Sequence, residues 1–548
     1  MSPTATEPTP SPPRSPDSPG EPVSWRARLA EGPIAPIVVA LAVHGVGLGG
    51  GFALDDVPDI VRHPVVGGDA PWWSVLNYNF MGAPLGEGVN TIRPLTTLEL
   101  AAEWALWGDA AWLFHLTSVL LFAGLVWAAH GLARDLFRSG RLATVAASLF
   151  AVLAIHVEAV AMIANRAEVL SLLMVALMLR AALRGHTLAA ALAYLAALLF
   201  KESAFLAPAA LAWWFVVEHG PEELDLRKRG TIVGGLGVAA LLFLAARMTL
   251  LPLDVSDQIV HPDNLLIGQP WAVRLWTPFV LLGRYLALTA APVGLSYDYT
   301  YAAIPVALDL ADPYGWLGAL AVVGGGAGAV ALWRREARWA KACLIALGGF
   351  AASYLLFSNS VFLIVILFAE RLFLAPSLWL VLALVAAAWG GVEATREPER
   401  LKLLLGVAIG VVGVVQAPLA VNRTLDWRSD LTLMRAQVQT QPSSLKGRLA
   451  YASELVRHGR PDEALWHFGV AVAGRGRYPE PWSPPEGADQ LPLEDRLRLL
   501  HGLIAPEVTP AAFMAQFGGM ATGLLGEGVK PALERMRCVV VRGACGAR

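Results

Sequence analysis

Three cysteines in 548 residues are too few for a disulfide framework, and only 16% of the chain is charged. Soluble domains carry about 25% charged and about 45–50% apolar residues. Here 56% of the residues are hydrophobic and the mean hydropathy is +0.53. A water-soluble fold of this size has nowhere to hide that much apolar surface. Secreted-enzyme, nucleic-acid-binding and disordered-scaffold readings of the whole chain are therefore excluded. Lysine is scarce too: Lys201, Lys228, Lys341, Lys402, Lys446 and Lys530 are the whole set, and the net charge of −2 offers nothing to a polyanion. Cys343 lies in an apolar run and reads as a small core residue. Cys538 and Cys545 pair if their end of the chain lies outside the cytoplasm, and stay free thiols if it lies inside. No cleavable signal peptide is expected ahead of the first apolar segment.

What is present in abundance is apolar sequence in runs of spanning or near-spanning length. They are Pro33–Gly50, Ala111–Leu132, Ala143–Met162, Val169–Ala182, Thr187–Leu199, Ala204–Val217, Thr231–Ala246, Leu275–Ala291, Pro313–Trp333, Ala342–Phe357, Leu372–Trp389 and Leu403–Val421. A straight span takes about 20 residues. The fold class is an all-α polytopic membrane bundle. Arginine-rich clusters at Arg26/Arg28, Arg134–Arg141, Arg180/Arg184, Arg227–Arg229, Arg334–Lys341 and Arg396–Lys402 belong together in the cytoplasm. That requires Leu275–Ala291 to be re-entrant or packed at the outer face. The count is then eleven crossings, with the N-terminus inside and the C-terminus outside.

The organisation is a disordered cytoplasmic tail over 1–32, a transmembrane domain over 33–421, a helical hairpin region over 422–475 and an irregular segment over 476–548. The outer loop 51–109 is long, aromatic and Pro/Gly-rich, and loops of that length are ordinarily functional or disordered. Ser443–Gly474 reads as a hairpin of amphipathic helices turning at Gly459-Arg460-Pro461. A single such unit cannot bury its own face and must pack on something else.

Asp55 and Asp56 directly follow the first span, in "GGGFALDDVPDIVRHP". Adjacent acids at a membrane exit are often plain solvated loop residues, but carboxylates placed there can also deprotonate a hydroxyl or hold a divalent cation. Further ionisable groups recur at the outer ends of other spans: Arg93, His156, Glu158, Arg166, Glu168, Lys201, Glu202, Glu370 and Arg371. Such residues are costly in or near apolar spans and usually pair, line a cavity or serve function. The bland alternative is helix-end snorkelling with local ion pairs, and a lone histidine such as His156 is more often a packing residue than a ligand. Taken together they describe an outer cavity of carboxylates and cations. The cations suit a phosphate headgroup and the apolar walls suit a lipid tail.

At these residues the sequence resembles integral-membrane glycosyltransferases of the GT-C type, specifically the transmembrane-and-tetratricopeptide O-mannosyltransferase-like proteins. The likeness is distributed over "FALDDVPDIVRHPVV", "IRPLTTLELAAEWALWGDAAWLFHLTSVLLF", "HVEAVAMIANRAEVLS", "FKES", "RYLALTAAPVGLSYDYTYAAIP", "FAERLFLAPS" and the stretch from "RTLDWRSD" to "HFGVAVA", in family order over about residues 50–475. The resemblance implies a polyprenyl-phosphate sugar donor, a hydroxyl acceptor on protein Ser/Thr or on an envelope glycan or lipid, and inversion at the anomeric carbon. It makes Asp55 and Asp56 the outer-loop acidic pair, one acting as base or as ligand to Mg or Mn. It makes Arg93, His156, Glu158, Arg166, Lys201, Glu202, Glu370 and Arg371 the donor-phosphate and sugar-binding residues. The chain departs from the family pattern at Leu153-Ala154-Ile155-His156, which keeps only the second histidine of His-Pro-Val-His, and in a tetratricopeptide array reduced to about one hairpin.

Two other classes compete: a transporter or lipid flippase, and a non-catalytic membrane scaffold presenting the hairpin. Transporters often carry internally repeated halves with polar breaks at mid-membrane. Here no repeat is visible and the polar groups cluster at one face. The Arg- and Ala-rich composition points to a bacterial inner membrane, with the site on the periplasmic side.

Overall fold

The computed structural model describes residues 29–87, 91–219, 226–251, 263–300, 303–304, 310–334, 338–361, 363–475, 484–504 and 509–542. Most of the tail expected over 1–32, and Cys545 of the terminal cysteine pair, lie outside them.

The described residues are all-α, with no strand beyond one isolated bridge between Tyr78 and Pro84. In chain order the α-helices longer than five residues are α1 (Ile34–His44), α2 (Pro94–Trp107), α3 (Ala111–Phe137), α4 (Gly140–Val152), α5 (Arg166–Leu183), α6 (Thr187–Phe200), α7 (Ala207–His219), α8 (Leu226–Leu250), α9 (Trp271–Ala290), α10 (Pro313–Trp333), α11 (Arg338–Leu355), α12 (Leu374–Ala394) and α13 (Pro398–Asp426). The C-terminal part adds α14 (Asp430–Thr440), α15 (Leu445–Arg457), α16 (Pro461–Arg475), α17 (Leu493–Ile504), α18 (Pro510–Leu525) and α19 (Lys530–Arg542).

Among the described residues, five helical stretches are long and apolar enough to cross a membrane: Ala111–Phe137, Arg229–Leu250, Pro313–Trp333, Glu370–Ala394 and Pro398–Asp426. A sixth is the pair Gly140–Val152 and Ala154–Ala161, bent by 59°. By length and composition, then, the described helices do not reach the eleven crossings expected. The runs Ile34–Gly49 and Thr187–Phe200 are apolar but shorter, and the second gives way to a 3₁₀ turn, Glu202–Leu206, rather than continuing as helix.

Helix α3 sets the frame. Its 27 residues extend about 40 Å at about 1.5 Å per residue. At its C-terminal end the basic clusters meet. Arg138 pairs with Glu218 at 3.1 Å, Lys341 Nζ donates to the Glu218 carbonyl at 3.4 Å, and Arg180 and Arg184 share Asp135 at 3.0 and 2.7 Å. At the other end the loop leading to Asp55 is held by His115, whose Nε2 lies 3.1 Å from the Gly51 carbonyl oxygen, and Arg166 donates to the Phe114 carbonyl. Both flanks of α9 are tied to that end. Before α9, Asn264 donates to Asn359 and to the Ile364 carbonyl; after it, the Ser296 N–H reaches Glu370.

The break after α4 shows how polar side chains enter an apolar bundle. Leu153 is extended, so the Ala154 N–H loses its helical acceptor. Gln416 of α13 supplies one at 3.0 Å, and its Nε2 donates to the Thr289 carbonyl at 2.8 Å. Nearby, Met162 is extended as well, and the Ala164 N–H is taken by Asp56 at 2.8 Å. Freed backbone groups away from water must find such partners.

The C-terminal part has its own apolar core. Leu465, Trp466 and Phe468 of α16 are fully buried against Leu500, Phe517 and Met536. The hairpin expected over 443–474 is present as α15 and α16. The segment expected to be irregular over 476–548 instead contributes α17, α18 and α19, which supply the face that the hairpin cannot bury by itself. The Pro and Gly that read as interruptions are helix boundaries: Thr509 caps α18 with Pro510 in its first turn, and Gly526 ends it at φ 80°. Arg448, fully buried inside the hairpin, grips Asp489 at 3.0 and 3.2 Å and ties the following turn to it.

Candidate active site

Three ion pairs from distant parts of the chain meet at the Asp55 end of the bundle. Arg371 pairs with Glu158 through both its guanidinium and its backbone N–H, the latter at 2.8 Å. Lys201 Nζ lies 2.6 Å from Glu168, and Arg93 Nε lies 3.9 Å from Glu202. Local backbone places them. Lys201 and Ala369 are both extended, and each is followed by a short 3₁₀ turn opening on glutamate, Glu202–Leu206 and Glu370–Phe373. A helix that stops and restarts in this way turns its charged residues out of the helical stack and toward one another. Arg93 precedes α2 and lies over the Phe80 ring at 4.6 Å.

The members differ in accessibility. Glu158 and Glu168 are buried, with 1% and 7% of their side chains exposed, whereas Arg93, Arg371 and Glu202 show 14%, 18% and 45%. The buried acids are backing and the other three face outward. Asp55 is exposed, and among the described residues no hydrogen bond reaches its carboxylate. Its charge acts on both Arg371 and Asp59. Burial first, and then the Asp55 charge, push the Asp59 carboxyl well above the usual carboxylate range.

The adjacent acid is built differently. Asp56 is fully buried, and its two carboxylate oxygens accept from the Ala164 N–H at 2.8 Å and the Ala53 N–H at 3.2 Å. Desolvation pushes its carboxyl up to about 7, against the opposing pull of those amides. Asp56 therefore stitches the outer loop to the broken helix and does not face the ion pairs. The two adjacent carboxylates thus have different surroundings, Asp55 exposed and Asp56 taken up by backbone amides. Among the described residues no group of three or more His, Cys, Asp or Glu is arranged to hold a metal.

Three further sequence candidates are spent on structure. His156 is fully buried, paired with Ser377 Oγ at 2.8 Å and packed on Phe150 at 4.5 Å. Arg166 is fully buried, between Glu99 at 2.6 Å and Glu103 at 2.7 Å, and donates to the Phe114 carbonyl and Ser118 Oγ. It locks α2, α3 and α5 together. Glu370 is fully buried and accepts from the Ser296 N–H at 2.5 Å and Tyr299 Oη at 2.7 Å, which fixes the loop after α9. Asp55, Arg93, Glu158, Lys201, Glu202 and Arg371 remain as the convergent set. Asp59 belongs with them and was missed; its signal was the four-residue spacing from Asp55 in "DDVPD", which one helical turn brings to the same side.

Two cavities run inward. A small one of about 40 Å³ lies between Glu168, Ser203, Ala352 and Trp379. A large apolar one of about 830 Å³ lies among α9, α10 and α11, walled by Trp213, Phe279, Leu286, Leu347, Phe350 and Tyr354. Ala352 of α11 lines both, the first on the Gly349/Ser353 face of that helix and the second on its Leu347/Tyr354 face.

The chain is similar to several proteins named protein O-mannosyl-transferase. It is 30% identical to Tmtc2 of Drosophila melanogaster over 48% of this chain and 30% of that protein. It is 26% identical to Tmtc1 of the same fly over 76% and 58%, and 22% identical to TMTC4 of Homo sapiens over 82% and 66%. The chain thus spans between 30% and 66% of the length of these relatives. The family resemblance carried by the motif string is matched over as much as 82% of the chain. These relatives are animal proteins and give no support to a bacterial, periplasmic setting. No family model matches the chain, and no solved structure matches it.

Proposed function

We propose that this relative of the O-mannosyl-transferases moves a mannose-type sugar from a polyprenyl-phosphate donor to a protein Ser or Thr hydroxyl, at the membrane face that bears Asp55. We place that face outside. The reading is of a GT-C-type enzyme in which α1, α4, α5, α6, α7 and α11 join the five long stretches to make eleven crossings, α9 stays at the outer face, and the hairpin is a reduced tetratricopeptide unit. The observation that carries the function is the convergence of Arg93, Lys201 and Arg371, from three separate regions, beside the free carboxylate of Asp55.

In this mechanism Asp55 accepts the proton of the acceptor hydroxyl as its oxygen attacks the anomeric carbon. The bond from that carbon to the donor phosphate breaks, and its electron pair leaves with the phosphate. Attack from the face opposite the leaving group inverts the centre. Arg371 and Arg93 meet the charge that develops on the phosphate, with Lys201 behind them. Preorganised donors of this kind are commonly worth about 3–4 kcal/mol each. The isoprenoid chain is suited to the apolar cavity of about 830 Å³.

The test uses membranes containing the full chain, a lipid-linked mannose and a Ser/Thr peptide. Loss of transfer in Asp55→Asn, with the protein still inserted, is expected. Full transfer by that variant removes the assignment.

A further inference from the structure

Leu54 has a positive φ of 51°. Among the described residues only Arg138 and Asn359 share that feature without being glycine. Arg138 ends a helix, where the left-handed conformation is ordinary, and asparagine tolerates it. Leu54 has neither excuse, and a branched side chain held there needs surroundings that over-determine it.

Those surroundings come largely from the C-terminal part. Asp430, the first residue of α14, accepts the Leu54 N–H on Oδ1 at 2.8 Å across 376 residues of sequence. Just before α14, the Arg428 carbonyl accepts the Gly51 N–H at 3.1 Å. The Leu54 side chain packs against both the C-terminal core and the core beneath the outer loop. The same helix holds the second loop at this end: Gln437 Nε2 donates to the Asp298 carbonyl at 2.7 Å, and Ser296 Oγ donates to Gln437 Oε1. One short helix therefore pins the turn carrying Asp55 and the loop after α9.

We propose that Asp430 is a positioning residue for the transfer: through the Leu54 N–H it holds the left-handed turn that aims the next side chain, Asp55, at the acceptor. The inference rests on the reading of Asp55 as base. Asp430 touches no substrate. It acts by fixing one peptide plane, and the C-terminal helices thereby become part of the active site rather than an appendage. A plain helix-start role predicts something else. An acid at the first turn favours the helix dipole through its charge, so asparagine and alanine would then be equally poor. The positioning role needs only an oxygen acceptor at the right place, which asparagine keeps.

The experiment compares Asp430→Ala, Asp430→Asn and Asp430→Glu with Asp55→Asn in the full chain in membranes, reading kcat and donor KM separately with lipid-linked mannose and a Ser/Thr peptide. Misplacement of a reacting group by about 1 Å commonly costs up to roughly a hundredfold. Asp430→Ala is expected to lower kcat by roughly tenfold to a hundredfold with donor KM within about twofold, and Asp430→Asn to stay within about threefold of the parent. Should the alanine variant fail to accumulate, Asp430→Glu decides. It keeps the charge but shifts the acceptor by one methylene, and is expected to lose about tenfold in kcat. Unchanged kcat in Asp430→Ala, or equal losses in the alanine and asparagine variants, overturns the proposal while leaving an inactive Asp55→Asn to stand for the functional reading. An active Asp55→Asn overturns both.

Discussion

Asp55 and Asp56 are neighbours in sequence, yet the structure predicts opposite outcomes for the same substitution. In Asp56→Asn one oxygen that accepts a backbone N–H becomes an NH₂ group. Either the Ala53 or the Ala164 amide then faces a donor in a fully buried place. A buried donor left without a partner costs about 1–3 kcal/mol. Asp56→Asn should therefore lower the unfolding temperature in detergent, with activity falling only as folded protein is lost. The carboxyl also carries a pH signature. Its folded pKa of about 7 lies above the ordinary 3.8. The folded state holds the proton more tightly, so this contribution is fully present below 3.8 and is lost as pH rises through about 7. The parent should lose stability across that window, and Asp56→Asn should lack that component. In Asp55→Asn no hydrogen bond is broken among the described residues. Its stability should stay within about 0.5 kcal/mol of the parent, while loss of a general base removes about 10²–10⁴-fold in rate. Transfer assays in membranes, paired with thermal unfolding at pH 5 and pH 8, separate the effects. An Asp56→Asn protein as stable as the parent but catalytically dead would refute this division of labour between the two acids.

Other outcomes follow from the same geometry. Arg371→Lys keeps a charge but loses the planar guanidinium whose Nη1 donates to Glu158, and should reduce kcat more than it raises donor KM; an unchanged kcat places the leaving group elsewhere. Arg166→Ala leaves Glu99 and Glu103 without their cation and should cost about 3–5 kcal/mol, visible as loss of folded protein in membranes; normal folding would show that the clamp is dispensable. A Cβ on Gly283 would lie 1.9 Å from the Tyr314 carbonyl oxygen. Gly283→Ala should therefore push α9 off α10 at about 1–3 kcal/mol, and an unshifted melting temperature would count against this close approach.

Much of this protein was legible before any coordinates. In a chain with so little charge, each ionisable residue near an apolar run stands out, because the bilayer makes it expensive. That is why Arg93, Glu158, Lys201, Glu202 and Arg371 could be gathered from the sequence as one set. The hairpin of α15 and α16 was likewise written in its spacing of small and large apolar residues. The helices α17 to α19 were not, since their capping Thr, Pro and Gly look like breaks when the core they border is unknown.

Which charged groups stay free for chemistry was decided only in three dimensions. A helix that breaks inside a bundle exposes N–H and C=O groups, and the nearest polar side chain is consumed in satisfying them. Asp56 and Gln416 are spent in this way, while His156, Arg166 and Glu370 are spent joining elements. Asp55 escapes because the backbone around it is already satisfied, partly by Asp430 from far along the chain. Sequence composition determines that these charges must be paired or used; only the path of the folded backbone determines which.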